Sequence, residues 1–247
     1  MYNGKSVLVI IQARMGSTRL PGKVLMPLAG QPVLSHITKR LQASAMIDQI
    51  VVATSTLPAD DVIKEWGDAV GIGVYRGSEP DVLARYYECA QTYPAEIICR
   101  VTGDCPLVDY RLIEAAIALL VDNGYDYITM DNSIIPRGVH GEVFTADVLR
   151  KVYAKATEAY QREHVTYYIY EDNDADFNWT YLASESWLKR DYRLTLDTPE
   201  DYELLSNIFN NLYVPHRYLE LKQVIDYLDA NPQVATINCT VQQKPVK

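Results

Sequence analysis

Cysteine is scarce in this sequence, and no apolar run approaches the length of a membrane span. The 247 residues include four cysteines, which form no Cys-x-x-Cys pair and no disulfide-type framework: Cys89, Cys99, Cys105 and Cys239. We therefore expect a protein of the reducing cytoplasm. A membrane span needs roughly 18 apolar residues, and residues 1–5 are mostly polar, so we expect neither a membrane partner nor a signal peptide.

Positive charge is also in deficit, since the formal net charge is −9 at pH 7. This balance argues against nucleic acid or an anionic membrane as a partner. The hydrophobic content of 48% is ample for a sizeable core, and the length suits one larger α/β domain or a core with an appended arm. A basic segment in such an acidic chain therefore indicates a local site for one small polyanion.

The start of the chain holds such a segment, although it lacks two common nucleotide-binding motifs. The short β-branched run 7–11 predicts a buried strand, and the segment 14–23 after it carries Arg14, Arg19 and Lys23. It contains neither Gly-x-x-x-x-Gly-Lys-Ser/Thr nor Gly-x-Gly-x-x-Gly. Open α/β sheets bind ligands at the carboxyl ends of their strands, and Arg and Lys are strong phosphate partners. The segment therefore predicts a phosphate-binding loop, in which we expect the basic side chains to be exposed.

Strand and helix patterns alternate along the first half of the chain. The predicted strands are 6–12, 49–54, 73–75, 96–102 and 126–130, and the predicted helices between them are 33–45, 60–70, 81–93 and 111–123. This βαβ rhythm predicts a doubly wound, mostly parallel sheet. The later elements are less regular: an extended piece at 142–144, helices at 146–157 and 163–170, a strand at 177–183, and a final long helix capped by Thr198 with Pro199 in its first turn.

Two distant aspartates are candidates for a metal site. Asp104 follows a predicted strand through Gly103, whose lack of a side chain allows the backbone to approach a ligand. Asp197 ends another short predicted strand, just before the last helix. Two carboxylates at a phosphate-binding site suggest Mg²⁺. The alternatives are a turn residue for Asp104 and, for Asp197, an acid that interacts favourably with the helix dipole. No Gly-x-Ser-x-Gly motif indicates a covalent nucleophile, and Cys105 is expected to be packed.

The segment 12–23, Gln-Ala-Arg-Met-Gly-Ser-Thr-Arg-Leu-Pro-Gly-Lys, resembles the opening motif of the cytidylyltransferases that activate acidic sugars. The closest resemblance is to the spore coat polysaccharide type, and the 3-deoxy-manno-octulosonate and acylneuraminate types are more distant. The similarity extends over residues 6–212, with further motifs at 52–55, 75–79, 100–107, 162–166 and 193–201. It implies a Rossmann-like α/β fold of the nucleotide-diphospho-sugar transferase type and Mg²⁺-dependent transfer of CMP from CTP to an acidic sugar or sugar-like acid. Pyrophosphate would be released, in surface polysaccharide or glycoconjugate biosynthesis.

The resemblance also implies roles for individual residues. Catalysis is expected from Arg14, Arg19, Lys23 and Asp104, and metal binding from Asp104 and Asp197. Nucleotide binding is expected from Gln12, Ala13, Arg14, Gly16, Ser17, Lys23, Thr54, Ser55, Arg76, Gly77, Asp81, Thr102 and Gly103. Acceptor binding is expected from Arg137, His140, Glu142, Arg162, His164 and Arg193. For Asp81, an N-cap with an i,i+4 ion pair to Arg85 is an alternative that needs no ligand.

The acceptor side departs from the spore coat pattern, because His140 stands where an acid is usual and Tyr167 where a proline is usual. Arg137, His140, Arg162 and His164 together predict a locally positive pocket for a carboxylate, phosphate or phosphonate. We expect a single domain over 1–247, in which a smaller α+β arm at 132–190 binds the acceptor and forms a homodimer. The alternatives are a glycosyltransferase or sugar-1-phosphate nucleotidyltransferase and, third, a non-catalytic nucleotide-binding regulator.

Overall fold

The apolar run at the start of the chain forms an interior strand of a seven-stranded sheet in the computed structural model, which describes residues 1–172 and 174–244. Strand β1 (Val7–Gln12) is buried along nearly its whole length. Val7, Val9 and Ile11 belong to one hydrophobic core, and Leu8 and Ile10 belong to a second core. Helices cover both faces of the sheet, which explains why the strand is continuously apolar rather than alternating.

Across the described ranges we find nine strands and nine α-helices. The other strands are β2 (Pro27–Leu28), β3 (Gln31–Pro32), β4 (Gln49–Ser55), β5 (Gly73–Gly77), β6 (Ile97–Thr102), β7 (Tyr127–Thr129), β8 (Glu142–Thr145) and β9 (Trp179–Tyr181). The helices are α1 (Val33–Leu41), α2 (Asp61–Val70), α3 (Val82–Thr92), α4 (Tyr110–Asn123), α5 (Ala146–Lys155), α6 (Ala159–His164), α7 (Pro199–Leu212), α8 (Leu221–Ala230) and α9 (Pro232–Ala235). Among the described residues, no helix is both long and apolar enough to cross a membrane.

The strand order of the large sheet is β5-β4-β1-β6-β8-β7-β9, and every pair is parallel except those of β8. This confirms the predicted doubly wound, mostly parallel α/β fold. From β1 the chain runs outward through β4 to β5 and then crosses back to β6 on the other side of β1. The order reverses between β1 and β6, where Gln12 pairs with Thr102. Doubly wound sheets bind ligands beyond the strand ends at such a reversal.

Local sequence signals explain where two of the helices begin or end. Helix α4 buries Ile113, Ala116, Ile117 and Leu120 at helical spacing and ends at Gly124, whose φ of +68° is left-handed. Helix α7 begins as predicted: the Thr198 side chain accepts a hydrogen bond from the Asp201 N–H, and Pro199 stands at the first helical position.

Three local predictions were wrong. The helix expected at 163–170 is interrupted, because α6 ends at His164 and Val165 has a φ of +55°. There the Thr166 hydroxyl donates to Glu142 at 2.8 Å, and this tertiary contact outweighs the helical pattern. Helix α7 is not the last, since α8 and α9 follow it. Asp197 follows only a single bridge between Arg137 and Arg193, not a strand.

Gly103 has a tight steric environment that leads to a stability prediction. A Cβ atom at this position would lie 2.8 Å from the Gln12 carbonyl oxygen and 2.9 Å from the Ala13 Cβ. The close approach predicted from Gly103 is therefore an approach to the phosphate-binding loop itself. We expect Gly103→Ala to destabilise the fold by about 1–3 kcal/mol, as other overpacked sites do. Chemical denaturation measures this, and Gly16→Ala is the control, because a Cβ there would meet nothing within 4 Å.

Candidate active site

The predicted phosphate-binding loop is closed by hydrogen bonds to the backbone of Met15. Its carbonyl oxygen accepts from the Ser17 N–H at 2.9 Å and from the Gly22 N–H at 3.0 Å. Gly22 turns the chain with a φ of +72°, a conformation that glycine adopts at little cost. The loop therefore leaves β1, folds back on itself and delivers Lys23 to the start of a short 3₁₀ turn beside the crevice.

Lys23 brings the two predicted metal-binding acids together. Its Nζ lies 2.5 Å from Asp104 Oδ2 and 2.7 Å from Asp197 Oδ1. In the sequence, Lys23 is separated from these aspartates by 81 and 174 positions, respectively. Burial lowers the pKa of Lys23, but the two carboxylates more than compensate and raise it above its ordinary value. The lysine therefore stays charged, and it is buried rather than in the exposed loop position that the sequence suggests.

Two arginines complete the cluster around Asp197. Arg19 lies 3.1 Å and Arg193 lies 2.6 Å from its Oδ2 atom. Burial raises the pKa of Asp197, but Lys23, Arg19 and Arg193 outweigh that effect and lower it, so the carboxylate is ionised. Asp201 fixes the position, because it accepts from the Asp197 N–H at 2.9 Å and pairs with Arg193 at 3.0 Å. Three cations and two carboxylates thus meet at the carboxyl edge of the sheet.

Arg14 lies apart from this cluster and pairs with Glu79. The other predicted nucleotide-binding side chains follow β4 and β5. Arg76 donates to the carbonyl oxygens of Ser55 and Leu57, each at 3.0 Å, and pairs with Asp61. The buried Thr54 hydroxyl has no hydrogen-bond partner among the residues that the structure describes. The remaining predicted positions line the same strand ends: Ala13, Gly16, Ser17, Ser55, Gly77, Thr102 and Gly103.

Asp81 joins the two predicted halves of the site. Its Oδ1 accepts from the Ala84 N–H at 2.9 Å, so it is the N-cap of α3 that one alternative expected. Its other oxygen pairs with Arg162 at 2.7 Å, whereas Arg85 donates to the Ser78 carbonyl oxygen instead. The predicted Asp81–Arg85 ion pair is therefore wrong, and Asp81 links α3 to the arm.

Glu142 and Gln12 belong to one buried polar network. Arg100 pairs with Glu142 and donates through Nε to the Gln12 side-chain oxygen at 3.2 Å. Tyr127 and Thr166 donate to the other oxygen of Glu142. Burial raises the pKa of Glu142, but Arg100 and the two hydroxyl groups more than offset this and lower it. Both oxygens of Glu142 are therefore engaged by partners within the protein.

The histidines do not supply the positive charge that the sequence suggested. Burial lowers the pKa of His140 and of His164 below the ordinary value, so both rings are neutral near pH 7. The His140 ring contacts the Gly141 carbonyl oxygen at 3.0 Å and the Asn132 side chain at 3.2 Å. Of the predicted acceptor-binding cations, only Arg137 forms no ion pair or side-chain hydrogen bond with any described residue.

The acid pair is suited to a divalent cation. A lysine ammonium within 2.7 Å of both carboxylates shows that the two groups can share one cation. Within the described ranges no group of three or more His, Cys, Asp or Glu side chains could hold a metal ion. Mg²⁺, which binds through one or two carboxylates together with phosphate oxygens and water, fits this pair. Burial raises the pKa of Cys105 to about 12, so its thiol stays protonated and is not a nucleophile.

Sequence reasoning missed three residues that shape the site: Asp60, Arg100 and Asp201. Arg100 lies in the motif at 100–107 and Asp201 in the motif at 193–201, but neither motif reveals which side chains these two residues contact. Asp60 accepts from the Met15 N–H at 2.7 Å and is 2% exposed. Its only sequence signal is its place at the start of a predicted helix, which does not reveal a contact with a loop 45 residues away.

A doubly wound sheet with a loop of cations and two acids at its topological switch point defines a nucleotide-binding enzyme of the nucleotidyltransferase class. The cytidylyltransferase family model matches residues 8–231, and the chain belongs to that family. It is 38% identical to the spore coat polysaccharide biosynthesis protein SpsF of Bacillus subtilis, over 93% of this chain and 97% of SpsF. It is 41% identical to an uncharacterized protein of Methanocaldococcus jannaschii, over 96% of each chain.

A solved cytidylyltransferase from Leptospira borgpetersenii superposes with a TM-score of 0.88. The two are 33% identical, and the match covers 97% of this chain and all of the other. The resemblance stated from the motifs is confirmed, as is nucleotidyl transfer with CTP as the activity of the family. Family membership favours this activity over the glycosyltransferase and the regulator alternatives.

Proposed function

We propose that this enzyme transfers CMP from CTP to a small acidic sugar or sugar-like acid, with Mg²⁺ as cofactor, and releases pyrophosphate. The observation that carries the proposal is the convergence of Lys23, Arg19 and Arg193 on Asp104 and Asp197 at the sheet's carboxyl edge. Surface polysaccharide or glycoconjugate biosynthesis is the proposed role, in line with the name of the SpsF relative.

The reaction is an in-line displacement at phosphorus. A hydroxyl oxygen of the acceptor forms a bond to the α-phosphorus of CTP while the bond to the pyrophosphate oxygen breaks, and the hydroxyl proton is released to solvent. Charge spreads over the phosphoryl oxygens in the transition state, so positioning and electrostatic stabilisation account for most of the catalysis. Lys23 and Arg19 would turn from the acids to the triphosphate, and Arg14 would bind it from the other side of the loop.

Asp104 and Asp197 would hold the metal. Bound Mg²⁺ would polarise the α-phosphate and withdraw charge from the phosphate oxygens. Arg193 stays with Asp201 and so keeps Asp197 in place. No step needs a covalent nucleophile, in agreement with the protonated, packed Cys105.

Arg137 is the proposed anchor for the acidic group of the acceptor. A backbone bridge between Arg137 and Arg193 holds it next to the acid cluster, with the Arg137 N–H donating to the Tyr192 carbonyl oxygen at 2.9 Å. Its guanidinium is half-buried and has no ion-pair partner in the described part of the chain. An unpaired arginine is suited to a forked contact with a carboxylate or phosphate.

We expect Arg137→Met to raise the KM for the acceptor by about 10- to 100-fold, the loss of one charge-assisted contact. The KM for CTP should stay nearly unchanged, and steady-state kinetics on both substrates measures the split. Arg150→Met is the control, because Arg150 lies exposed on α5 in the same segment and, within the described ranges, pairs only with Asp147. Equal changes in both constants would show that Arg137 does not read the acceptor.

The direct test of the function is pyrophosphate release with each of the four nucleoside triphosphates, Mg²⁺ and a panel of acidic sugars. We expect release only with CTP and only when an acidic acceptor is present. A chelator should abolish it. Preference for UTP, or turnover with neutral sugar 1-phosphates, would favour the sugar-1-phosphate alternative instead.

We further propose that the arm at 132–190 binds the acceptor and forms a homodimer in a cytoplasmic protein. Two large apolar side chains of this segment are exposed to solvent: Ile134 is 45% exposed and Tyr181 is 48% exposed. Such side chains are suited to an interface. Light scattering in solution tests the mass, and Tyr181→Asp should shift a dimer toward the monomer.

A further inference from the structure

Asp60 is a buried carboxylate at the start of α2 that leaves its own helix uncapped. An aspartate at this position commonly accepts from the N–H groups of the first helical turn. Here its side chain makes no capping bond and turns toward the sheet edge. It is 2% exposed, and a buried carboxylate is costly unless its oxygens are hydrogen-bonded. Its bonding partners therefore indicate its role.

Those partners lie on two separate strand ends of the site. Oδ1 accepts from the Met15 N–H at 2.7 Å, and Oδ2 accepts from the N–H of Ser55 at 3.3 Å and from its hydroxyl. Met15 belongs to the loop after β1, and Ser55 is the last residue of β4. One carboxylate thus ties the phosphate-binding loop to the neighbouring strand.

Met15 is the point at which the whole loop is held. Its carbonyl oxygen accepts hydrogen bonds from the N–H groups of Ser17 and Gly22, and its own N–H donates a hydrogen bond to Asp60. Arg14 precedes this residue directly, and Lys23 follows Gly22 directly. A shift of the Met15 backbone therefore moves the cations at both ends of the loop together.

We propose that Asp60 is a positioning residue for triphosphate binding, which acts through the Met15 backbone and does not touch the substrate. The inference rests on the proposed binding of CTP by the loop. The sign of its charge makes the test sharp. A carboxylate near a triphosphate repels it, so electrostatics alone predicts tighter CTP binding when the charge is removed. Positioning predicts weaker binding from the same change.

Asp60→Asn separates these effects because it keeps the side-chain shape. An amide has one acceptor oxygen, which cannot serve both the Met15 and Ser55 N–H groups. We expect faster hydrogen exchange in the peptide that spans residues 13–22, with β6 unchanged. Calorimetry should show about 10- to 100-fold weaker CTP binding, the range for lost supporting contacts and for small misplacements. The KM for the acceptor should stay near that of the wild type.

The matched control is Asp68→Asn on the same helix, since Asp68 is exposed and its one ion-pair partner in the described part of the chain is Lys64. It should match the wild type in both measurements. If Asp60→Asn fails to fold, Asp60→Glu replaces it, because it keeps both acceptor oxygens but moves them by one methylene. The same pattern is expected there.

Unchanged exchange in the loop, or CTP binding that is unchanged or tighter, would overturn the proposal. Faster loop exchange in Asp60→Asn with weaker CTP binding supports it. If wild-type protein binds no CTP and the loop still loosens in the variant, the hold of Asp60 on the loop is supported. The proposed function is then what fails.

Discussion

Replacing Lys23 by alanine is expected to lower turnover with CTP by about 10²- to 10³-fold, the usual effect of removing one preorganised charge from a site of this kind. Lys23 is the cation that contacts both acids, at 2.5 and 2.7 Å, and it stands at the end of the phosphate-binding loop. Without Lys23, its positive charge no longer stabilises either the bound triphosphate or the pair of carboxylates. Steady-state kinetics at saturating CTP and acceptor gives the measurement.

Two further variants place this result in context. Lys64→Ala removes a lysine on α2 that pairs with Asp68 and with no other acid among the described residues, so its turnover should equal that of the wild type. Arg14→Ala should also lose most turnover, because Arg14 is expected to bind the triphosphate. Circular dichroism should show both loop variants folded. Near wild-type turnover in Lys23→Ala and Arg14→Ala together would refute the phosphate role of the loop.

The fold and the place of the site could be read from the sequence because both depend on local patterns. The apolar run of β1 and the helical spacing in α4 report burial directly, and a loop that follows a parallel strand has to lie at the carboxyl edge of the sheet. Thr198, Pro199 and Asp201 mark the start of α7 within four residues. These signals need no knowledge of distant neighbours.

The electrostatics of the site could not be read in this way. Whether His140 carries a charge depends on its burial, and Lys23 was expected in an exposed loop but is buried between two acids. Arg162 was predicted to bind the acceptor, but it pairs with Asp81, 81 residues away, and so is not a free cation. Such contacts form only when the chain has folded, so residue type and spacing do not reveal them.

The structure also bears on which of its two possible roles Asp197 has. Its alternative role was that of an acid at a helix start, but the first turn of α7 already holds Glu200 and Asp201. Asp197 lies before the N-cap and faces Lys23, Arg19 and Arg193 instead. This ionised carboxylate pairs with three cations and lies opposite a second carboxylate. The arrangement favours a role in the candidate active site over a role as a partner of the helix dipole.

Asp104→Asn is therefore expected to abolish nearly all turnover, with only a small change in melting temperature. The amide keeps the shape of the side chain but removes the charge that would hold Mg²⁺, a hard cation that prefers carboxylate oxygen. Asp197→Asn should lower turnover to a similar extent, and Mn²⁺ binding in the presence of CTP should weaken in both variants. A dipole partner alone would contribute only about 0.3–1 kcal/mol to stability. Full turnover in Asp197→Asn, with a slightly lower melting temperature, would leave Asp104 as the metal-binding acid and would assign Asp197 to holding the loop cations.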